Sequence, residues 1–372
     1  MNMRESARLP GRHWACGHGP AMTDLARRPW YTAAEVTLTD RDALFRDWLR
    51  SQLDGELPAL AAASADASFR RYWRLRRGDE TVIAVDAPPA TEDNAGFVRL
   101  ARALRAIGLN VPEIFAADLT HGFLLVADLG QRHYLEHLHP DNADQLYGDA
   151  MAALIALQAA PAPAGLPEYD EPFLRRELGI FDEWLLDGLL ALSPAAQERA
   201  MLDITYDLLV ESALAQPRVC VHRDFHSRNL MLTETANPGI LDFQDAVVGP
   251  VTYDLVSLLR DCYIDWPEER VQTWVGAYLD LALQCGLLTQ AHAAAFTGWL
   301  DLMGMQRHLK AAGIFARLAL RDGRPEYLQY LPRTLGYVHR IGARYPALVP
   351  LAGFVEERLL PRLEARLTTG LG

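Results

Sequence analysis

Residues 221–229 read VHRDFHSRN, and ILDFQDA follows at 240–246. Asp224, Asn229 and Asp242 thus stand in the order H-x-D-x₄-N, apolar strand, turn, apolar strand end, Asp. Phosphoryl transfer uses these residue types at this spacing. One carboxylate accepts the proton of the attacking hydroxyl, while an Asn and a second Asp, brought close by a short hairpin, bind the metal that bridges the nucleotide phosphates. Leu230, Met231 and Leu232 read as the first strand, Asn237-Pro238-Gly239 as the turn, and Ile240-Leu241 as the return. A lone His-x-Asp reads equally well as solvated charges beside a satisfied core histidine, because short motifs recur by chance. The correlated Asn and second Asp, each next to apolar strand residues, decide for a nucleotide-dependent kinase centre.

The elements around this centre must position it. At 372 residues the chain is long enough for two separate cores. Half of its residues are hydrophobic, and the mean hydropathy of −0.04 is that of an ordinary globular protein. With 36 basic and 48 acidic residues the net charge is −12. That balance argues against nonspecific nucleic-acid binding, and any positive charge that a nucleotide needs must be local. Cys16, Cys220, Cys262 and Cys285 lie far apart without metal-ligand spacing, which predicts buried, reduced thiols in the cytoplasm. No apolar run approaches the roughly 18–20 residues of a membrane span, and no secretory segment follows the N-terminal arginines. A monomer is the default.

Residues 1–38 carry Arg4, Arg8, Arg12, Arg27 and Arg28 among Gly, His and Pro without periodicity. A transit peptide is one reading; a disordered extension, or a start set too early with Met22 as the alternative, is preferred. A helix is expected from Arg41, capped by Asp40. A hairpin follows over Ser68–Leu75 and Thr81–Val85, turning at Arg77-Gly78-Asp79. A helix with Phe97, Leu100, Leu104 and Ile107 on one face closes at Gly108, and two strands are expected near 114–118 and 122–127. Further helices are predicted over 141–159, 171–190, 252–263, 268–286, 289–318, 325–343 and 352–368. This order is α+β: a bilobal, protein-kinase-like fold with a small β-rich N-lobe (39–128) and a larger, mostly helical C-lobe (129–372). Val126-Ala127-Asp128 is then the hinge that meets the adenine edge. The side chains of Val82, Ala84 and Val126 serve either the nucleotide or simply the core.

The stretches SFRRYWRL, VDAPP, GFLLVADLG, VHRDFHSRNLML, ILDFQDAVVGPVTYDLVSLLRDCYIDW and GMQRHLKAAGIFARLALRDG resemble the aminoglycoside-phosphotransferase and choline-kinase-like family. Within it they look most like the bacterial anomeric kinases of N-acetylmuramate and N-acetylglucosamine. The likeness runs from about residue 62 to 340, and HRDFHSRN is narrower than the generic HGDLHPGN. It implies ATP and Mg²⁺ as cofactors, Asp224 as catalytic base and Asn229 and Asp242 as metal ligands. It also implies that Ser68 to Arg71 cover the phosphates, and that the product is a sugar 1-phosphate feeding cell-wall recycling.

One departure stands out. Kinases carry a phosphate-binding Lys on the third strand, yet Ile83-Ala84-Val85-Asp86 places an acid there, and no Lys precedes Lys310. Arg70, Arg71 and Arg74 are the replacements offered, Arg70 and Arg74 sharing one face of a strand. With Ala84, Val126 and Asp128 they complete the expected nucleotide site. For an amino-sugar acceptor the candidates are His226 and Arg228 in the catalytic loop, Arg260 and Asp261 at a helix end, and Gln306, Arg307 and Lys310 on one helix. Each reads as readily as a structural ion pair. His222 is read as structural, and Asp254 as a helix cap or a brace of the loop. Rival functions are another small-molecule kinase of this fold, acting on an aminoglycoside, choline or homoserine, and a non-catalytic nucleotide-binding regulator, which the missing Lys would favour.

Overall fold

The computed structural model describes residues 38–53, 56–63 and 70–369. The expectations for residues 1–37 and for Ser68 lie outside them. The chain divides into two compact units between Asp47 and Trp48. Of the first unit the described residues are the opening turns of α1 (Leu38–Gln52). That helix starts before Arg41, so Asp40 sits in its first turn, where a carboxylate complements the helix dipole, and is not its cap.

The second unit begins with a five-stranded antiparallel sheet. Its strands are β1 (Ala61–Ala62), β2 (Arg71–Arg77) and β3 (Glu80–Asp86), then, after helix α2 (Asn94–Ala106), β4 (Ile114–Asp118) and β5 (Phe123–Ala127). They lie in the order β1-β2-β3-β5-β4. The β2–β3 turn runs through Gly78 at φ +61°, a conformation glycine adopts without steric cost. Register fixes which side chains share a face, because residues directly opposite in a ladder point the same way. Tyr72 faces Val85, Arg74 faces Ile83, and Ile83 faces Val126. This side packs on Val98 and Phe97 of α2. Arg71 pairs with Asp86, and Ala84 with Leu125. Their side of the sheet also carries Phe123, whose ring lies 5.8 Å from that of Trp48.

The rest is mostly helical. In chain order come α3 (Tyr134–His137), α4 (Ala143–Ala159), α5 (Glu171–Ile180), which runs on in wider π-type turns to Leu189, and α6 (Ala196–Leu214). Two short hairpins follow, β6 (Arg218–Val221) with β9 (Val247–Pro250), and between them β7 (Leu230–Met231) with β8 (Gly239–Ile240). Then come α7 (Tyr253–Leu259), α8 (Glu268–Gln284), α9 (Gln290–Leu320), α10 (Leu331–Gly342), α11 (Val349–Phe354) and α12 (Leu360–Thr369). No described helix is long and apolar enough to cross a membrane. Cys220 and Cys262 are buried free thiols, but Cys285 is exposed at the end of α8, contrary to the expectation from sequence.

Helix α9 is the axis of this region, packing on α6, α7, α10 and the π-type turns after α5. The approach to α5 is so close that a Cβ on Gly313 would lie 2.4 Å from the backbone oxygen of Ile180. Backbone cannot step aside as a flexible side chain can. We therefore expect Gly313→Ala to destabilise the protein by about 1–3 kcal/mol in denaturant titrations; an unchanged midpoint would show that the two helices can separate at no cost.

Candidate active site

The loop between β6 and β7 has no ladder to satisfy its backbone, so side chains do so. Asp254, fully buried on α7, accepts the N–H groups of His222 and Arg223 at 2.7 and 2.9 Å. Asp261, just beyond α7, accepts both the N–H and the hydroxyl of Ser227, at 3.0 and 2.5 Å. The His222 ring accepts the Asp224 N–H at 3.2 Å. Burial lowers its pKa to about 4, so the imidazole is neutral as that acceptor role requires. Arg223, at φ +77°, turns the chain so that its neighbour Asp224 faces the site.

Across the β7–β8 hairpin, Asn229 and Asp242 meet. The Asn229 amide donates to the Asp224 carbonyl at 3.0 Å and to Asp242 Oδ2 at 3.3 Å. Gln244 donates to Asp242 Oδ1 at 2.6 Å. With its N–H groups on these acceptors, Asn229 keeps its side-chain carbonyl oxygen as a donor that could meet a cation. An amide oxygen beside a carboxylate is a hard donor pair suited to Mg²⁺, which takes one or two protein ligands and completes its shell with water and phosphate. Among the described residues no group of three or more His, Cys, Asp or Glu could hold a metal ion, so a cage for zinc is not on offer.

Beneath the loop lies a buried polar cluster centred on Glu177 of α5. Glu177 accepts from Arg223 at 2.5 Å and from Lys310 at 2.9 Å, and Tyr169 also donates to it. Lys310 donates to the Tyr253 hydroxyl at 3.0 Å, and Gln306 reaches the Tyr169 hydroxyl at 3.2 Å. Burial would raise the Asp224 pKa, but the charges of Lys310, His226 and Arg223 outweigh it and hold the carboxyl below its ordinary range. Asp224 is therefore a carboxylate at neutral pH.

Several sequence expectations need correcting. Arg260 is 1% exposed and ion-paired to Asp301 at 2.7 Å, so its guanidinium is closed to any ligand. Asp261 is spent on the loop backbone. Gln306 and Lys310 lie on one side of α9 as their spacing predicts, but both are turned into the Glu177 cluster. Arg307, also buried, lies against the Cys262 thiol. In the sheet, Arg71 is bound to the buried Asp86 at 2.5 Å on the side away from α2. Ala84 is on that same side, whereas Val126 faces α2, so the two do not line one pocket. Arg74 forms two bonds to Asp128, at 2.6 and 2.9 Å, and a third to the Gly130 carbonyl. It clamps the hinge.

Arg70 differs. It pairs with Glu92 at 2.8 Å and lies over the Phe97 ring. It also reaches the hydroxyl of Tyr72, whose pKa burial raises and which feels the charge of Asp242. Phe243, next to Asp242, stacks on Phe97 at 5.0 Å, so α2 touches the strand end that bears Asp242. Sequence reading passed over Glu92, Tyr72 and Glu177. An acid between Leu174 and Leu178, on the apolar face of α5, was a usable signal for the last.

A model described as the phosphotransferase enzyme family matches residues 59–295. The chain belongs to that family. It is 45% identical over 318 residues to the N-acetylmuramate/N-acetylglucosamine kinase of Pseudomonas putida, covering 85% of this chain and 94% of that protein. Identity to the protein of that name from Pseudomonas aeruginosa is 48% over 299 residues, covering 80% and 88%. Among solved structures, choline kinase from Streptococcus pneumoniae superposes with a TM-score of 0.58 at 11% identity, covering 82% of this chain and 99% of its own. An ADP-bound aminoglycoside phosphotransferase gives 0.54 at 14%, covering 80% and 97%. At such low identity these two speak for the fold alone, which is the bilobal α+β fold expected from sequence.

Breaking one partner of a buried charge cluster strands the others. We expect Glu177→Ala to cost about 3–5 kcal/mol, since Arg223 and Lys310 would both lose their acid. The surrounding cations hold the Glu177 pKa below its usual 4.5 despite burial. Its stabilisation is therefore full above that value and lost as pH falls through the lower, folded-state pKa. Acid denaturation should lose this component in Glu177→Gln; an unaltered acid limb would place Glu177 outside the energetics of the loop.

Proposed function

We propose that this chain is an ATP-dependent kinase that phosphorylates the anomeric hydroxyl of N-acetylmuramate or N-acetylglucosamine, giving the sugar 1-phosphate. The observation that carries the kinase reading is the meeting of Asn229 and Asp242 beside an ionised Asp224 on a loop braced from two sides. The sugar reading rests on the names of relatives that align over most of both chains. Its place would be the cytoplasmic recycling of peptidoglycan sugars.

In this reading Asp224 is the catalytic base. An anomeric hydroxyl is more acidic than an ordinary alcohol, so a carboxylate of low pKa suffices to take its proton as the bond to phosphorus forms. Asn229 and Asp242 would hold Mg²⁺, which when bound neutralises charge on the nucleotide phosphates. Arg70 is the best placed of the three arginines to meet those phosphates. Its pairing with Glu92, just ahead of α2, sets a cation–acid pair beside the sheet, as the Lys–Glu pair of protein kinases does. That weakens the regulator reading, whose support was the missing Lys. The hinge at Val126 to Asp128 would present backbone groups to the adenine.

Mixing the purified protein with ATP, Mg²⁺ and either sugar should release ADP and give an anomeric phosphate signal by ³¹P NMR. Nucleotide-dependent thermal stabilisation without turnover of either sugar would leave the kinase fold and remove the sugar assignment. Asp224→Asn should lower turnover by about 10²–10⁴-fold with ATP affinity retained; full activity would show that another group is the base. Arg70→Glu should raise the KM for ATP at least tenfold, and an unchanged KM would discard Arg70 as a phosphate ligand.

A further inference from the structure

Arg228 occupies an unusual position on the catalytic loop. Its guanidinium lies over two aromatic rings, 4.9 Å from the centre of Tyr263 and 5.4 Å from that of Tyr327. One nitrogen donates to the Tyr327 hydroxyl at 3.1 Å. Tyr330 and Phe315 back this pair, with Tyr263–Tyr330 centroids 4.8 Å apart and Phe315–Tyr327 5.9 Å. The aromatic wall continues to the loop itself, where the His226 ring meets Tyr263 edge-on at 5.4 Å, and His226 Nε2 is 3.9 Å from Asp224.

Most other cations that neighbour the loop are committed to acids, the buried Arg307 lying instead against the Cys262 thiol. Arg223 and Lys310 hold Glu177, and Arg260 holds Asp301. Arg228 is half-buried, yet no carboxylate of the described residues lies within ion-pair distance of it. Guanidinium carries five N–H donors in a planar fork that fits a carboxylate bidentately, and phenol hydroxyls answer only part of that capacity. Contact with two rings restrains the guanidinium at little entropic cost, while the one hydrogen bond to Tyr327 uses only part of its donor capacity. A rigid, partly desolvated cation without an acid is a site made for an anion supplied from outside, and it stands four residues from the proposed base.

Resting on the sugar-kinase reading, we propose that Arg228, held between Tyr263 and Tyr327, recognises the carboxylate of an acidic amino-sugar acceptor and so sets the preference for N-acetylmuramate over N-acetylglucosamine. The two sugars differ by the lactyl ether of the former, which carries the carboxylate. The neutral sugar uses the same base and metal ligands and has nothing to offer Arg228.

The test is a cycle between residue and substrate. Wild type and Arg228→Gln are assayed on N-acetylmuramate, on its lactyl methyl ester, and on N-acetylglucosamine, with ATP and Mg²⁺ constant. A charge-assisted hydrogen bond contributes about 1.5–3 kcal/mol, so its loss is about 10–100-fold. The ratio of kcat/KM for N-acetylmuramate to that for N-acetylglucosamine should fall by that factor in Arg228→Gln. Esterification should cost wild type the same factor and the variant almost nothing more. A ratio unchanged by the substitution, or an ester penalty equal in both proteins, overturns the proposal and leaves Arg228 as packing for the loop. Should the variant fail to fold, the ester series on wild type still decides: no penalty for esterification means no cation reads the carboxylate. Wild type inactive on both sugars overturns the sugar reading itself and this inference with it.

Discussion

A loop that brings Asp224, Arg228 and Asn229 together within nine residues cannot borrow the regularity of a helix or a strand. Its backbone donors still need partners, because each one buried without a partner costs free energy comparable to a lost hydrogen bond. Asp254 and Asp261, at either end of α7, answer three of them. Burial pushes Asp254 up to about 7, against the two N–H bonds that favour its ionised form, so holding the loop has an electrostatic cost. Helix α7, buried along its whole length, thus also acts as a rigid bar carrying two carboxylates at the separation that the loop dictates.

The second support comes from below. Glu177 gathers Arg223 and Lys310, and their positive field reaches Asp224, so the cluster that stabilises the loop also sets the ionisation of its central residue. Folding and chemistry are coupled here through one glutamate. From above, the contact of Phe97 with Phe243 ties α2 to the strand end that bears Asp242, and Arg70 with Glu92 joins the same corner. Three separate regions of sequence therefore converge on the Asp224–Asn229–Asp242 triangle, and each brings a charge as well as a surface.

Much of this was legible from the residues. The H-x-D-x₄-N spacing and the apolar strand ends located the loop and hairpin, and the order of the sheet with its inserted helix followed from period-two runs and from Gly78 and Gly108. The boundaries of α4, α8 and α9 fell within two residues of their expected places. Helix α6 was not assigned, although Leu202, Tyr206, Leu209, Val210 and Ala213 repeat at helical spacing on a buried face. What sequence could not supply was partnership. Arg70, Arg71 and Arg74 look alike in a strand, yet register sends one to Glu92, one to Asp86 and one to Asp128. Similarly, Arg260 and Asp261 are neighbours in the chain but serve different partners. Pairings between residues 15 to 54 positions apart leave no local trace.

The clamp of Arg74 on Asp128 and Gly130 has a consequence for motion. It welds the second strand to the segment that joins sheet to helices, at the point where a kinase would be expected to bend. Parting β2 from that segment means breaking a bidentate ion pair and the hydrogen bond from Arg74 to the Gly130 carbonyl. Gly130, at φ +94°, is itself part of this tie, and the residues that lead into α3 come next. Any parting of sheet from helices would therefore carry β2 and the segment after β5 together as one piece.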